Sequence, residues 1–236
     1  MVSTEPPDLG LISGHLKAVL ADSGAQPIVD SLEAMVSGWV APLNLMSVRV
    51  AVAKLGRLAG ADRTATIQAQ APPLPLPTPL GGWPLDYLAR MAVILAALNY
   101  LPTDDQVPLM ETLYRTGSER EQASVLRCLA LLPQAGRFVD LASEATRTNA
   151  VSVFRALACE NEYPAGYLPE LNFNQLVLKA LFLDLDSSRI VGLAERVTPE
   201  LVRMLRDYES ERRAASRSVP QDIERISALL PQALRK

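Results

Sequence analysis

Histidine and cysteine are nearly missing from this chain: one His and two Cys stand among 236 residues. A tetrahedral zinc site would need several carboxylates gathered beside so few ligands, and the sequence shows no such cluster. There is no basic surplus either. The 23 Lys+Arg against 26 Asp+Glu leave a formal charge of −3, which offers nothing to a phosphate backbone and sets nucleic acid aside as a partner. No apolar run approaches the roughly twenty residues that cross a bilayer, so no membrane span is expected. The longest run, Met91 to Leu98, is bounded by Arg90 and Asn99 and predicts a buried helix face. The opening Met1-Val2-Ser3-Thr4-Glu5-Pro6-Pro7-Asp8 is acidic where a secretory signal carries Lys or Arg, and no apolar core follows it. A cytoplasmic location is the expectation. Cys128 and Cys159 both sit in helical patterns and read as buried free thiols rather than a disulfide or redox pair.

Catalytic signatures are equally scarce. The sequence has no G-x-S-x-G, P-loop or G-x-G-x-x-G, and Gly81-Gly82 precedes Pro84 rather than a phosphate-binding helix start. His15 has no acid or nucleophile motif beside it. Asp104-Asp105 and Glu119 with Glu121 fall at helix N-termini, where carboxylates complement the helix dipole. The chain therefore reads as a non-enzyme without a cofactor. An enzyme with a Lys- or Cys-centred site is the competing reading.

What is present is 49% hydrophobic residues in 3.6-residue periods from end to end, with almost no period-2 alternation. An all-α protein follows. Residues 1–70 carry about three helical segments, the clearest with the stripe Leu45, Val48, Val52, Leu55. Residues 71–84 are too rich in proline for helix or ladder and predict an extended strap. Residues 85–236 carry a succession of helices, a helical-repeat domain expected to form one compact unit with the N-terminal segment. They are expected near 85–99, 105–115, 119–132, 136–145, 149–159, 172–183 and 199–216, with a short last helix after Pro220. Ser118 with Glu121 forms a capping-box pattern, and Thr198-Pro199-Glu200 is a helix start. The endings at Leu98 and Leu129 repeat after 31 residues, which favours antiparallel helix pairs stacked as a HEAT-like α-solenoid.

The helix near 172–183 buries Phe173, Leu176, Val177, Ala180 and Leu181, and carries Gln175 and Lys179 four apart on another face. The helix near 199–216 pairs Arg203 with Asp207 and Glu209 with Arg213, a solvated face, over a core side of Leu201, Leu205 and Tyr208.

From Trp83 to Asp222 the chain resembles the EboA-domain family, found in bacterial and some algal gene clusters for traffic of a secondary metabolite. The resemblance rests on Trp83-x-x-Asp86-x-x-Ala89-Arg90, Arg147-Thr148-Asn149, Phe154-Arg155-Ala156 and Ala158-Cys159-Glu160-Asn161-Glu162-Tyr163-Pro164. Its most specific stretch is Phe173-Asn174-Gln175-Leu176-Val177-Leu178-Lys179-Ala180-Leu181-Phe182. Arg189-Ile190-Val191-Gly192-Leu193, Arg203-Met204, Asp207-Tyr208 and the tail Arg212 to Asp222 complete it. The chain departs from the pattern at Glu162, where the family suggests proline, and at Ser216, where it suggests glycine.

The resemblance implies a cytoplasmic, non-enzymatic helper in export of a metabolite precursor, with a small-molecule metabolite and a UbiA-like membrane prenyltransferase or other cluster proteins as partners. It carries no catalytic residue. A generic helical-repeat scaffold for another protein is the second reading. The binding surface expected on either is Lys179 with Gln175, Asn174, Glu160, Asn161, Arg189 and Arg147. Antiparallel packing of the 149–159 and 172–183 helices places Glu160, Asn161, Asn174 and Gln175 at one end of the pair. It places Arg147, Asn149 and Arg189 at the other, with Lys179 between. Helix capping competes with binding for the three asparagines.

Overall fold

The computed structural model of the chain describes residues 8–40, 43–60, 63–64 and 83–231. Regular structure among these residues is helical; one isolated β-bridge joins Thr64 to Pro84, and the Leu85 N–H donates to the Arg63 carbonyl at 2.8 Å. The strap expected over 71–84 lies outside the described residues except for Trp83 and Pro84. No helix among the described residues is long and apolar enough to cross a membrane. The chain divides into two compact units, Met1–Phe138 and Val139–Lys236.

The first unit contains α1 (Leu9–Asp22), α2 (Gln26–Ser37), α3 (Leu45–Ala59), α4 (Leu85–Tyr100), α5 (Thr103–Thr116) and α6 (Glu119–Cys128). Helix α4 is its axis and packs against α1, α2, α3 and α6. The apolar run that begins at Met91 is buried as its sequence requires, because a helix apolar on every side can only be covered on every side. In α3, Val48, Val52 and Leu55 are buried as expected, but Leu45 is 39% exposed. Leu45 is the first residue of α3 and lies beyond the edge of the core, beside a groove described below. Ser118 caps α6: the Glu121 carboxylate accepts from the Ser118 N–H at 2.7 Å and from its hydroxyl at 2.9 Å.

The second unit contains α7 (Val139–Ala145), α8 (Val151–Ala158), α9 (Tyr163–Tyr167), α10 (Glu170–Phe182), α11 (Leu193–Arg196), α12 (Pro199–Ala214) and α13 (Asp222–Leu229). The expected helix over 136–145 divides into a 3-10 turn, Ala135–Phe138, and α7. Helices α9 and α11, five and four residues long, are too short to give a periodic signal and were not anticipated. Helix α8 starts two residues later than expected, because the Thr148 hydroxyl accepts from the Ala150 N–H at 3.3 Å and holds a turn there. Helix α10 buries Phe173, Leu176, Val177, Ala180 and Leu181 and packs on α8 and α12, as the stripe requires. The Thr198 hydroxyl accepts from the Leu201 N–H at 3.2 Å and starts α12. Just beyond α12, Ser216 has φ +52°, a left-handed conformation that glycine adopts without strain; the departure at this position therefore has a backbone meaning.

Candidate functional site

Lys179 leaves α10 toward the segment that precedes α8. Its ammonium donates to the Thr146 carbonyl at 2.8 Å and the Thr148 carbonyl at 2.6 Å, and lies 4.8 Å from the centre of the Phe154 ring. Burial lowers its pKa below the ordinary lysine value. Two carbonyls and an aromatic face thus already occupy the cation, and they tie α10 to the start of α8. This contact places Lys179, near the end of α10, beside the segment that leads into α8.

At the other end of α8, Asn161 is buried. Its amide donates to the Ala156 carbonyl at 3.0 Å and its side-chain oxygen accepts from the Tyr163 N–H at 3.0 Å, so it joins α8 to α9. Glu160 has φ +45°; its N–H donates to the Arg189 carbonyl at 2.8 Å and its carboxylate accepts from the Arg189 Nε. That bond raises the Arg189 pKa. Arg189 therefore sits with Glu160, not at the opposite end with Arg147 as expected. The reason is the 3-10 turn Ser187–Arg189, which folds the chain after α10 back toward the end of α8. Arg147 and Gln175 are exposed. Asn174 is fully buried, and its amide nitrogen and oxygen have no hydrogen-bond partner among the described residues. The seven expected residues therefore fall into separate places: Lys179 in one loop tie, Glu160, Asn161 and Arg189 around the end of α8, and the others apart.

The first unit holds two arrangements that sequence reasoning did not single out as sites. One is a buried charge cluster at the start of α4. Asp86 is 1% exposed; its carboxylate accepts two hydrogen bonds from Arg120 at 2.6 Å each and pairs with Arg90 one turn along α4. Gly56 of α3 makes room for Arg90, because a Cβ there would lie 2.1 Å from the guanidinium. The Arg127 guanidinium lies 4.2 Å from the Trp83 ring centre. The motif residues Trp83, Asp86 and Arg90 are thus structural ties among α3, α4 and α6.

The second arrangement surrounds α3. Among the described residues, cavities open along this helix of about 410 Å³ between α3, α5 and α6, about 400 Å³ against α2, and about 650 Å³ against the end of α4 and α5. Met46 and Val50 form the ridge between the first two and are 58% and 55% exposed. The largest is lined mainly by apolar groups, among them Leu45, Val48, Tyr100, Pro102 and Leu109, with Asp105 at its wall. The first combines Val52, Ala53, Leu113 and Val125 with Arg49, Arg57 and Glu121. Its size falls in the range of small-molecule sites, roughly 300–1,000 Å³, and its lining has their usual mix of apolar wall and few polar groups. The signal that could have found it is the charge of α3: Arg49, Lys54 and Arg57 without one acid.

No curated protein and no solved structure matches the chain. A family model described as metabolite traffic protein EboA matches residues 67–227, a span that takes in Asp86, Arg90 and Arg120, the Lys179 tie, α4 to α6 of the first unit and most of the second. That match covers more than half of the sequence, and the chain belongs to the EboA family of metabolite traffic proteins.

Proposed function

We propose that the protein serves metabolite traffic by binding a small molecule, without transforming it, in the cavity between α3, α5 and α6. The observation that carries this reading is the lining of that cavity: an apolar floor with arginines at its margin, in a chain of a traffic family. Lys179 supports binding less well, because its ammonium already serves two backbone carbonyls. Action in the cytoplasm, hand-over to a partner such as a UbiA-like membrane prenyltransferase, and HEAT-like stacking of the helix pairs belong to the same proposal.

The test is mass spectrometry of small molecules that co-purify with the protein from its native cells, beside the variant Ala53→Trp. Ala53 lines the cavity and is half-exposed, so an indole there fills space without disturbing the core. A compound retained by the native protein and lost from the variant is expected. The same compounds on both proteins, or none on either, would remove the cavity from the function.

A further inference from the structure

We infer that the cavity between α3, α5 and α6 takes an anionic amphiphile, a molecule with an apolar body and a carboxylate, sulfonate or phosphate group. The inference names the ligand class for the site proposed above and rests on that reading.

The charge on α3 is of one sign, with Arg49, Lys54 and Arg57 and no Asp or Glu in the helix. Arg49 and Arg57 line the cavity, and neither has an ion-pair or side-chain hydrogen-bond partner among the described residues. Other arginines of the first unit are engaged: Arg90 and Arg120 on Asp86, Arg115 on Glu111, and Arg137 on Gln106 and the Thr103 carbonyl. The acid in the cavity wall, Glu121, bonds the Ser118 cap through one oxygen and makes no ion pair with either arginine among the described residues, and the two arginines outweigh its single charge. An incoming anion therefore meets two guanidiniums whose bonding capacity is unspent.

The spacing fits a molecule with an apolar middle. Arg49 and Arg57 stand eight residues apart on α3, about 12 Å along the helix axis at 1.5 Å per residue. Ala53 lies midway between them, and Val52, Leu113 and Val125 complete an apolar surface. A body of roughly two fused rings lies over Ala53 with its charged group at one guanidinium. Arginine presents a planar fork that meets a carboxylate or phosphate with paired hydrogen bonds. A neutral ligand of the same shape crowds water from Arg49, which is already half-buried, and supplies no acceptor in return. Selectivity for the anion follows from that difference.

Two fluorescent probes that share an apolar body make the test: 1-anilinonaphthalene-8-sulfonate and uncharged N-phenyl-1-naphthylamine, titrated into the full chain at low salt. The sulfonate probe should bind about tenfold more tightly than the neutral one, the worth of one charge-assisted hydrogen bond. The double variant Arg49→Gln with Arg57→Gln should abolish that preference, by weakening the sulfonate probe without weakening the neutral one. Lys54→Gln, whose side chain lines the groove against α2, should change neither. Dodecanoate should displace the sulfonate probe from the unaltered protein where dodecanol does not, an arm that needs no variant to fold. Equal affinity for the two probes, or a preference that survives loss of both arginines, overturns the anionic class while leaving the cavity as a site. Retention of both probes by Ala53→Trp overturns the cavity itself. Sedimentation with phosphatidylglycerol vesicles through Arg49 and Arg57, without binding of the soluble probe, overturns the inference in favour of a bilayer surface.

Discussion

Replacing Asp86 by alanine should be among the most damaging single changes in the first unit. The carboxylate is 1% exposed and serves two guanidiniums, one of which, Arg90, has a side chain only 7% exposed. Its removal deprives Arg90 of its counter-ion in a place where water reaches poorly, and frees Arg120, whose side chain is 39% exposed, to hydrate. Breaking one partner of a buried pair costs about 3–5 kcal/mol, and the hydration open to Arg120 keeps the expected loss within that range rather than doubling it. Arg203→Ala, which breaks pairs at a side chain 61% exposed, should cost about 0.5 kcal/mol by contrast. Guanidinium titration followed by tryptophan fluorescence measures the Asp86 effect where it acts, because Trp39 and Trp83 are the two tryptophans of the chain and both lie in the first unit. Circular dichroism, which sees both units, serves the Arg203 control. Pairing Asp86→Leu with Arg90→Met should recover part of the loss, since a buried ion pair replaced on both sides by apolar groups is often neutral. A cost for Asp86→Ala no greater than that of Arg203→Ala would refute the reasoning.

Lys179→Met keeps the length of the side chain but strips two carbonyls of their donor, and should lower stability by about 1–2 kcal/mol, less than a fully buried bond because the site is part-exposed. A thermal melt by circular dichroism checks it; an unchanged midpoint would return Lys179 to the candidates for ligand binding. Ser216→Gly should raise stability by about 0.5–1 kcal/mol by relieving a left-handed backbone, net of the entropy glycine adds to the unfolded chain. A denaturation midpoint that falls would contradict this. Burial raises the Cys128 pKa and holds its thiol protonated, and Cys159 is equally enclosed. Neither should react with a disulfide reagent in the native protein while both react in denaturant, and prompt native labelling would count against the packing.

The apolar faces were legible in the sequence because a stripe at i, i+3 and i+4 has one geometric solution, which α10 follows, and a continuous apolar run such as that of α4 can only be enclosed. Polar partners were legible only when local. Ser118 with Glu121, Thr198 with Leu201 and Arg203 with Asp207 lie within one turn, and all form. Lys179 stood out as a cation among apolar residues, but its acceptors are backbone carbonyls of residues 146 and 148, and no residue type announces them. Arg189 was assigned to the wrong end of the helix pair because a three-residue 3-10 turn, invisible to periodicity, reverses the chain before it. Asp86 and Arg90 were visible as a motif one turn apart, whereas Arg120, which completes the cluster, comes from another helix. The cations of α3 were also in view. The cavity they border was not, because its other walls belong to α5 and α6.

Helix α4 has a consequence for where this protein can be cut. The stretch shared with the family begins at residue 67, so α4 falls inside it while α1, α2 and α3, three of the four helices that wrap α4, fall before it. Leu88, Met91, Val93, Ile94 and Leu95 are wholly enclosed, and much of that enclosure comes from the unshared helices. A fragment trimmed to the shared stretch would turn this surface to water and associate through it. The stretch the family model matches thus leaves out half of the helices of the unit that buries α4. In this chain the cover comes from α1, α2 and α3, and Gly56 of α3 leaves the gap that the Arg90 guanidinium fills.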